Sequence, residues 1–329
     1  MIGRIQHLVR RADATVARAY LAMFRERGAV MSFLFHSLFR DEREIARNLL
    51  DPLQRTTIAQ FRQFVEYYVG HGYSFITPAD LLAGLPRDGR YAMITFDDGY
   101  FNNTLALPIL EQYGVPATFF ISTNHVRQNK SYWWDVLYRE RIAQGATPDD
   151  VYHEALAHKG MRTEDIEATL LERFGADALT PRTDIDRPFT PAELRDFAHH
   201  PRVHIGNHTA NHAILTNYSA AEARAQLEEA QRALRDMTGT TPIAVAYPNG
   251  GHDDAVVAIA RDVGLKVGVT VRPAKNVLRP DSDLLRLGRF CPDGDVPMRT
   301  QCQTFRSDVL VYGLFRDCYL RFGRGQVAQ

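Results

Sequence analysis

Short apolar runs alternate along the chain with stretches whose apolar residues recur every three or four positions. The runs are "VMSFLFH", "YAMITF", "ATFFIS", "RVHIG", "IAVAYP", "KVGVTV" and "LLRLGRF", and helical patterns over 57–70, 105–113, 219–237 and 253–262 lie between them. This alternation predicts βαβ units and a parallel sheet. Ser219 with Glu222 forms a capping-box pattern, and Gly239 marks the end of that helix. Seven or so strand–helix units in 329 residues suit a barrel or an open doubly wound sheet. Either architecture places chemistry at the carboxyl ends of its strands.

The rhythm breaks between Asn124 and Arg187, where the chain turns polar but keeps helical periodicity in "SYWWDVLYRERIAQ" and "DIEATLLERFG". That periodicity predicts a helical insertion rather than a linker. At the N-terminus, Ile5, Leu8, Val9, Ala12, Val16, Tyr20 and Phe24 fall at helical spacing among five arginines. Residues 1–30 are therefore expected to form an amphipathic helix, 31–292 the main domain and 293–329 a helical tail, with the basic-apolar "VLVYGLFRDCYLRF" near the end. Two readings stay open for these terminal stretches: docking on the domain, or lying on a membrane surface.

Composition narrows the field. Lys+Arg and Asp+Glu both number 39, so no global field draws in nucleic acid. The three cysteines, Cys291, Cys302 and Cys318, lack metal-binding or redox spacing. Neither a secretory h-region nor an apolar window of membrane-spanning length is found, which makes the cytoplasm, or its membrane face, the expected location.

Two clusters carry candidate chemistry. Asp97 and Asp98 end the apolar run "YAMITF", with Gly99 to supply a bend. As adjacent strand residues they are expected to point to opposite sides and so to take different tasks. His208 and His212 follow "VHI" in "GNHTANH", and on a helical turn that spacing places both imidazoles on one face. Two imidazoles and one carboxylate make a metal site with open positions, and the second carboxylate is left as a base. HExxH is absent, so a zincin protease is not supported.

In order and spacing these motifs resemble the polysaccharide deacetylase family, the NodB-homology or carbohydrate esterase family 4 domain. "TFDDG" at 95–99 is similar to its first motif and "HTANH" at 208–212 to its second; "AYPNG" and "LLRLGRF" resemble a third motif and a late Arg-bearing strand. The resemblance implies a distorted (β/α) barrel and a metal-dependent N-deacetylase of N-acetylated carbohydrate. It implies that Asp98, His208 and His212 hold a divalent ion, zinc first, with cobalt, nickel or manganese as alternatives. Asp97 would be the general base, and a backbone N–H, that of Tyr247, the oxyanion donor.

The chain departs from the family pattern in two places. Ala246 stands where many members have the Arg that orients the base, so Arg289 is expected to serve instead. No histidine follows His252 to supply the acid, and His36, after the first strand, becomes the candidate donor. Trp133 and Trp134 either stack on sugar or pack the insertion, and with Tyr100 and Asn249 they complete the expected substrate-binding set. Two rivals remain: hydrolysis of a cyclic amide or ureide on the same fold, favoured by a pocket closed by the insertion, and a non-catalytic carbohydrate binder.

Overall fold

The computed structural model describes residues 14–51 and 55–307. Its core is a parallel sheet of β1 (Ala29–Phe35), β2 (Ser74–Phe75), β3 (Arg90–Phe96), β4 (Ala117–Ile121), β5 (Val203–Asn207), β6 (Ala244–Ala246), β7 (Val267–Val269) and β8 (Arg289–Phe290). Seven strands run in the order β7-β6-β5-β4-β3-β1-β8, and short β2 pairs with the start of β3. β1 and β3 are wholly or almost wholly buried, as expected of strands covered on both faces.

The sheet closes on itself. Thr270 donates its N–H to the Leu287 carbonyl and Leu287 donates to Gly268, both at 2.8 Å. Leu287 lies two residues before β8, which pairs with β1 through Ser32 and Arg289, so the two edges meet in a distorted (β/α) barrel. The "LLRLGRF" run is therefore only partly a strand: Leu284–Arg286 winds as a 3-10 turn and β8 spans two residues.

After the helical residues 14–23, the helices of eight or more residues among the described residues are α1 (Ile58–Gly70), α2 (Trp133–Ala143), α3 (Pro148–His158), α4 (Thr163–Phe174), α5 (Pro191–Ala198), α6 (Ala220–Thr238), α7 (Asp254–Asp262) and α8 (Met298–Arg306). Ser219 caps α6 in a full capping box, and Gly239 ends it in the left-handed region at φ 73°. The helix expected over 105–113 begins instead as a 3-10 segment, Phe101–Ala106, before turning α-helical at Leu107.

The insertion is a helical subassembly. α2, α3 and α4 pack Trp133, Val136, Leu137, Val151, Ile166 and Leu170 into a core of their own. Arg139, fully covered, ties its ends together by donating to Asp186 at 2.7 Å and to Ser131 at 3.1 Å. Residues 14–23 are helical, whereas 1–13 and the apolar C-terminal stretch from 308 onward lie outside the described residues. Among the described residues, no helix is long and apolar enough to cross a membrane.

Candidate active site

The expected chemical groups other than Arg289 follow the carboxyl ends of strands: His36 after β1, Asp97 and Asp98 after β3, His208 and His212 after β5, and Asn249 after β6; Arg289 is the first residue of β8. Except for Arg289, all of them line one pocket. The local geometry differs from both sequence expectations. Asp98 is not an alternating strand residue; it sits in a turn at φ 75°, followed by Gly99 at φ 93°. "HTANH" is not helical either, since Thr209 and His212 adopt φ 64° and 50°. Left-handed backbone at non-glycine residues costs about 1–2 kcal/mol each, and here it is what brings the three side chains together.

Asp97 is held by a charge-assisted fork. Arg289 donates Nη1 to Oδ1 and Nη2 to Oδ2, each at 2.7 Å, and its remaining donors reach Thr95 Oγ1 at 3.0 Å and the Thr270 carbonyl at 2.9 Å. Both partners are buried, at 3% and 1% exposure. Burial alone would push the Asp97 carboxyl up, but Arg289, His208 and His36 together bring it below the usual carboxylate range. The group is thus an oriented, ionised acceptor.

Asp98 behaves differently. Its Oδ1 is buried without a hydrogen-bond partner, and the Nε2 atoms of His208 and His212 both lie 3.3 Å from it. His208 Nδ1 donates to the Ala246 carbonyl at 2.7 Å, which fixes its tautomer and leaves Nε2 facing the cluster. The "variant" alanine of the third motif therefore contributes through its main chain. One ligand atom from each of the three residues lies within 4.8 Å of the others. Burial works against charge on His208, yet Asp97 and Asp98 raise its affinity for a proton above normal. The same negative field favours a bound cation. An orphaned carboxylate oxygen, two convergent imidazole nitrogens and this field fit a divalent metal.

The surroundings hold the cluster from outside. Tyr132 donates to the Asp98 carbonyl at 2.5 Å and stacks between His125, at 4.1 Å, and Trp134, at 4.8 Å. Trp134 in turn packs 4.5 Å from the His212 ring. Tyr100 donates to buried Asp135 at 2.6 Å and accepts from Trp134 Nε1 at 3.2 Å. Trp133 is buried in the insertion core while Trp134 braces His212; both reach the pocket wall.

One expected donor does not fit its role. The Tyr247 amide is already committed to the Val269 carbonyl at 3.2 Å in the β6–β7 ladder, and its ring stacks on His252. Asn249, two residues on, lines the pocket at φ 53°. Lys159 was not foreseen from sequence. It lines the same pocket, donates Nζ to Asn249 Oδ1 at 3.0 Å, and burial, partly opposed by Asp51, lowers its pKa to about 8.

A family model described as polysaccharide deacetylase matches residues 84–268, more than half of the chain and the segment that carries both motifs. The chain belongs to the polysaccharide deacetylase family. Among curated members, it is 20% identical over 247 residues to a poly-beta-1,6-N-acetyl-D-glucosamine N-deacetylase of Staphylococcus epidermidis, covering 73% of this chain and 68% of the relative. Among solved members it resembles the Streptococcus pyogenes deacetylase PplD, at TM-score 0.58 and 18% identity over 85% of this chain and 99% of that one. A polysaccharide deacetylase from Bacillus cereus gives TM-score 0.59 at 17% identity, over 85% of this chain and 69% of that one. At these identities the structural likeness speaks for the fold alone.

Proposed function

We propose that this polysaccharide deacetylase is a metal-dependent N-deacetylase that removes acetyl from an N-acetylated sugar of an oligosaccharide, glycolipid or polysaccharide precursor. The observation that carries the reading is the division of labour between adjacent aspartates: Asp97 gripped by Arg289, Asp98 left open beside two imidazoles. Asp98, His208 and His212 would hold the ion, zinc first and cobalt, nickel or manganese as alternatives. When bound, such an ion supplies Lewis acidity, which polarises the acyl carbonyl and eases deprotonation of water.

Asp97, already ionised, accepts the proton of the attacking water. The new C–O bond drives charge onto the carbonyl oxygen, where Asn249, which lines the pocket, takes the place of Tyr247 as our candidate donor. His36 then gives a proton to the amine as the C–N bond breaks, yielding acetate and a free amino sugar.

The aliphatic wall formed by Leu156, Met161 and Ile166 favours a second reading, hydrolysis of a compact cyclic amide. The metal-loaded protein should contain one divalent ion per chain by elemental analysis and release acetate from a panel of N-acetylated glycans. Ring opening of cyclic amides without acetate release would select the second reading. Glycan binding with neither reaction would select a carbohydrate-binding relative.

The proposal extends to the cytoplasmic membrane face. Val16, Met23 and Phe24 are exposed on the N-terminal helix and just beyond its end, beside Arg18 and Arg25. Replacing both arginines with glutamate should release the protein from membrane fractions, and unchanged fractionation would remove this part of the reading.

A further inference from the structure

We propose that the helical insertion makes the barrel mouth a single-unit pocket, so that the enzyme works at a chain end or on a lone acylated unit, which Lys159 helps to hold. This inference rests on the deacetylase reading and names its substrate class.

The insertion is fastened on both sides of the mouth. On the β1 side, the Asp51 N–H donates to Asp135 Oδ1 at 2.8 Å and the Tyr138 hydroxyl donates to Asn48 at 3.1 Å. On the β5 side, Thr163 Oγ1 donates to the carbonyl of His212 itself at 3.3 Å, and the Thr163 N–H donates to the Tyr218 hydroxyl at 2.9 Å. Asn217 Nδ2 bonds the carbonyls of Lys159 at 2.9 Å and Met161 at 2.8 Å. Lys159 Nζ adds a third anchor, to Asn249 after β6.

α2, α3 and α4 thus cross from one rim of the barrel to the other, and their inner residues share a cavity with Asp97 and His212. An internal unit of a polysaccharide needs two exits from the site, one for each flanking sugar. A strap hydrogen-bonded to both rims bars the path beneath it, and in this proposal the unit that enters ends there.

Lys159 brings an ammonium to a stretch of wall that includes Ala155, Leu156, Met161 and Ile166, with Tyr152 and Thr163 as neutral polar neighbours on the same insertion. Of the insertion's polar groups at the pocket, this charged donor gives a hydroxyl of the entering unit the strongest hydrogen bond.

The test maps the position of deacetylation by tandem mass spectrometry on β-1,4- and β-1,6-linked N-acetylglucosamine pentasaccharides, with the monosaccharide alongside. The result expected is loss of acetyl at one terminal unit only. Deacetylation spread over internal units overturns the single-unit pocket while leaving the deacetylase reading intact. No acetate from any of these sugars overturns the deacetylase reading on which the inference rests, and the inference falls with it.

Lys159→Met should raise KM for the pentasaccharide about tenfold, with a smaller change in kcat. A fall in kcat at constant KM would mean that Lys159 acts by positioning the Asn249 loop, and would overturn its role in holding substrate.

Discussion

Asp97→Asn should lower kcat by about 10²- to 10⁴-fold, the range contributed by a positioned general base, while leaving bound metal at the wild-type level. The substitution preserves shape and removes one charge. Its amide oxygen still accepts from one arm of the Arg289 fork, but the amide NH2 faces the other arm and the buried guanidinium loses its counter-charge, so a stability loss of about 3–5 kcal/mol accompanies the kinetic effect; a thermal melt measures it, and kinetics are read below the melting range. The informative comparison is Asp98→Asn, which weakens the only carboxylate among the candidate ligands and should deplete metal and activity together. Kinetics paired with elemental analysis on both variants decides the assignment. Undiminished activity in Asp97→Asn would refute the base, and metal loss in that variant but not in Asp98→Asn would mean that the two roles are reversed.

The second large effect concerns Arg289. Arg289→Met should destabilise the protein by about 3–5 kcal/mol, because it strands a buried carboxylate without its partner. The pH dependence follows from the direction of the Asp97 shift. A carboxyl held below its ordinary pKa stabilises the fold at pH above the unfolded value, and that contribution disappears as pH falls through the lowered folded value. Without Arg289, burial dominates and the pKa rises, so the acid limb of the rate profile should move to higher pH. Adding Asp97→Asn should restore part of the lost stability, since no charge is then left unpaired; additive losses in the double-mutant cycle would contradict the coupling. Lys at position 289 should rescue poorly, having no planar fork for both oxygens.

Much of this was legible in the sequence because it is written locally. Apolar runs of five to seven residues gave the barrel strands, and "TFDDG" and "HTANH" each hold their chemistry within a few positions. What escaped depends on pairing between distant segments. Residue type does not say that the Tyr247 amide is spent on Val269, nor that Leu287 closes the barrel, because every residue but proline carries the same backbone donor and acceptor. Lys159 and Thr163 gain their significance only from the insertion folding back over the mouth. Two helices outside the apolar periodicity, α3 and α5, carry a local start signal: Thr147-Pro148 with Asp150, and Thr190-Pro191 with Glu193, each form a capping box. Thr77-Pro78 with Asp80 repeats it, so Thr-Pro followed by an acid at the third helical position marks three helix starts in this chain.

The insertion has one more consequence. Because it carries its own apolar core and enters and leaves the chain between β4 and β5, it is a unit that mutation or grafting could exchange while the barrel strands stay as they are. The range of substrates could then diversify while the reaction stayed fixed. Three contacts limit that freedom: Thr163 to the His212 carbonyl, Tyr132 to the Asp98 carbonyl and Trp134 against the His212 ring; a replacement segment that lacks them changes the geometry of the Asp98–His208–His212 cluster together with the substrate range.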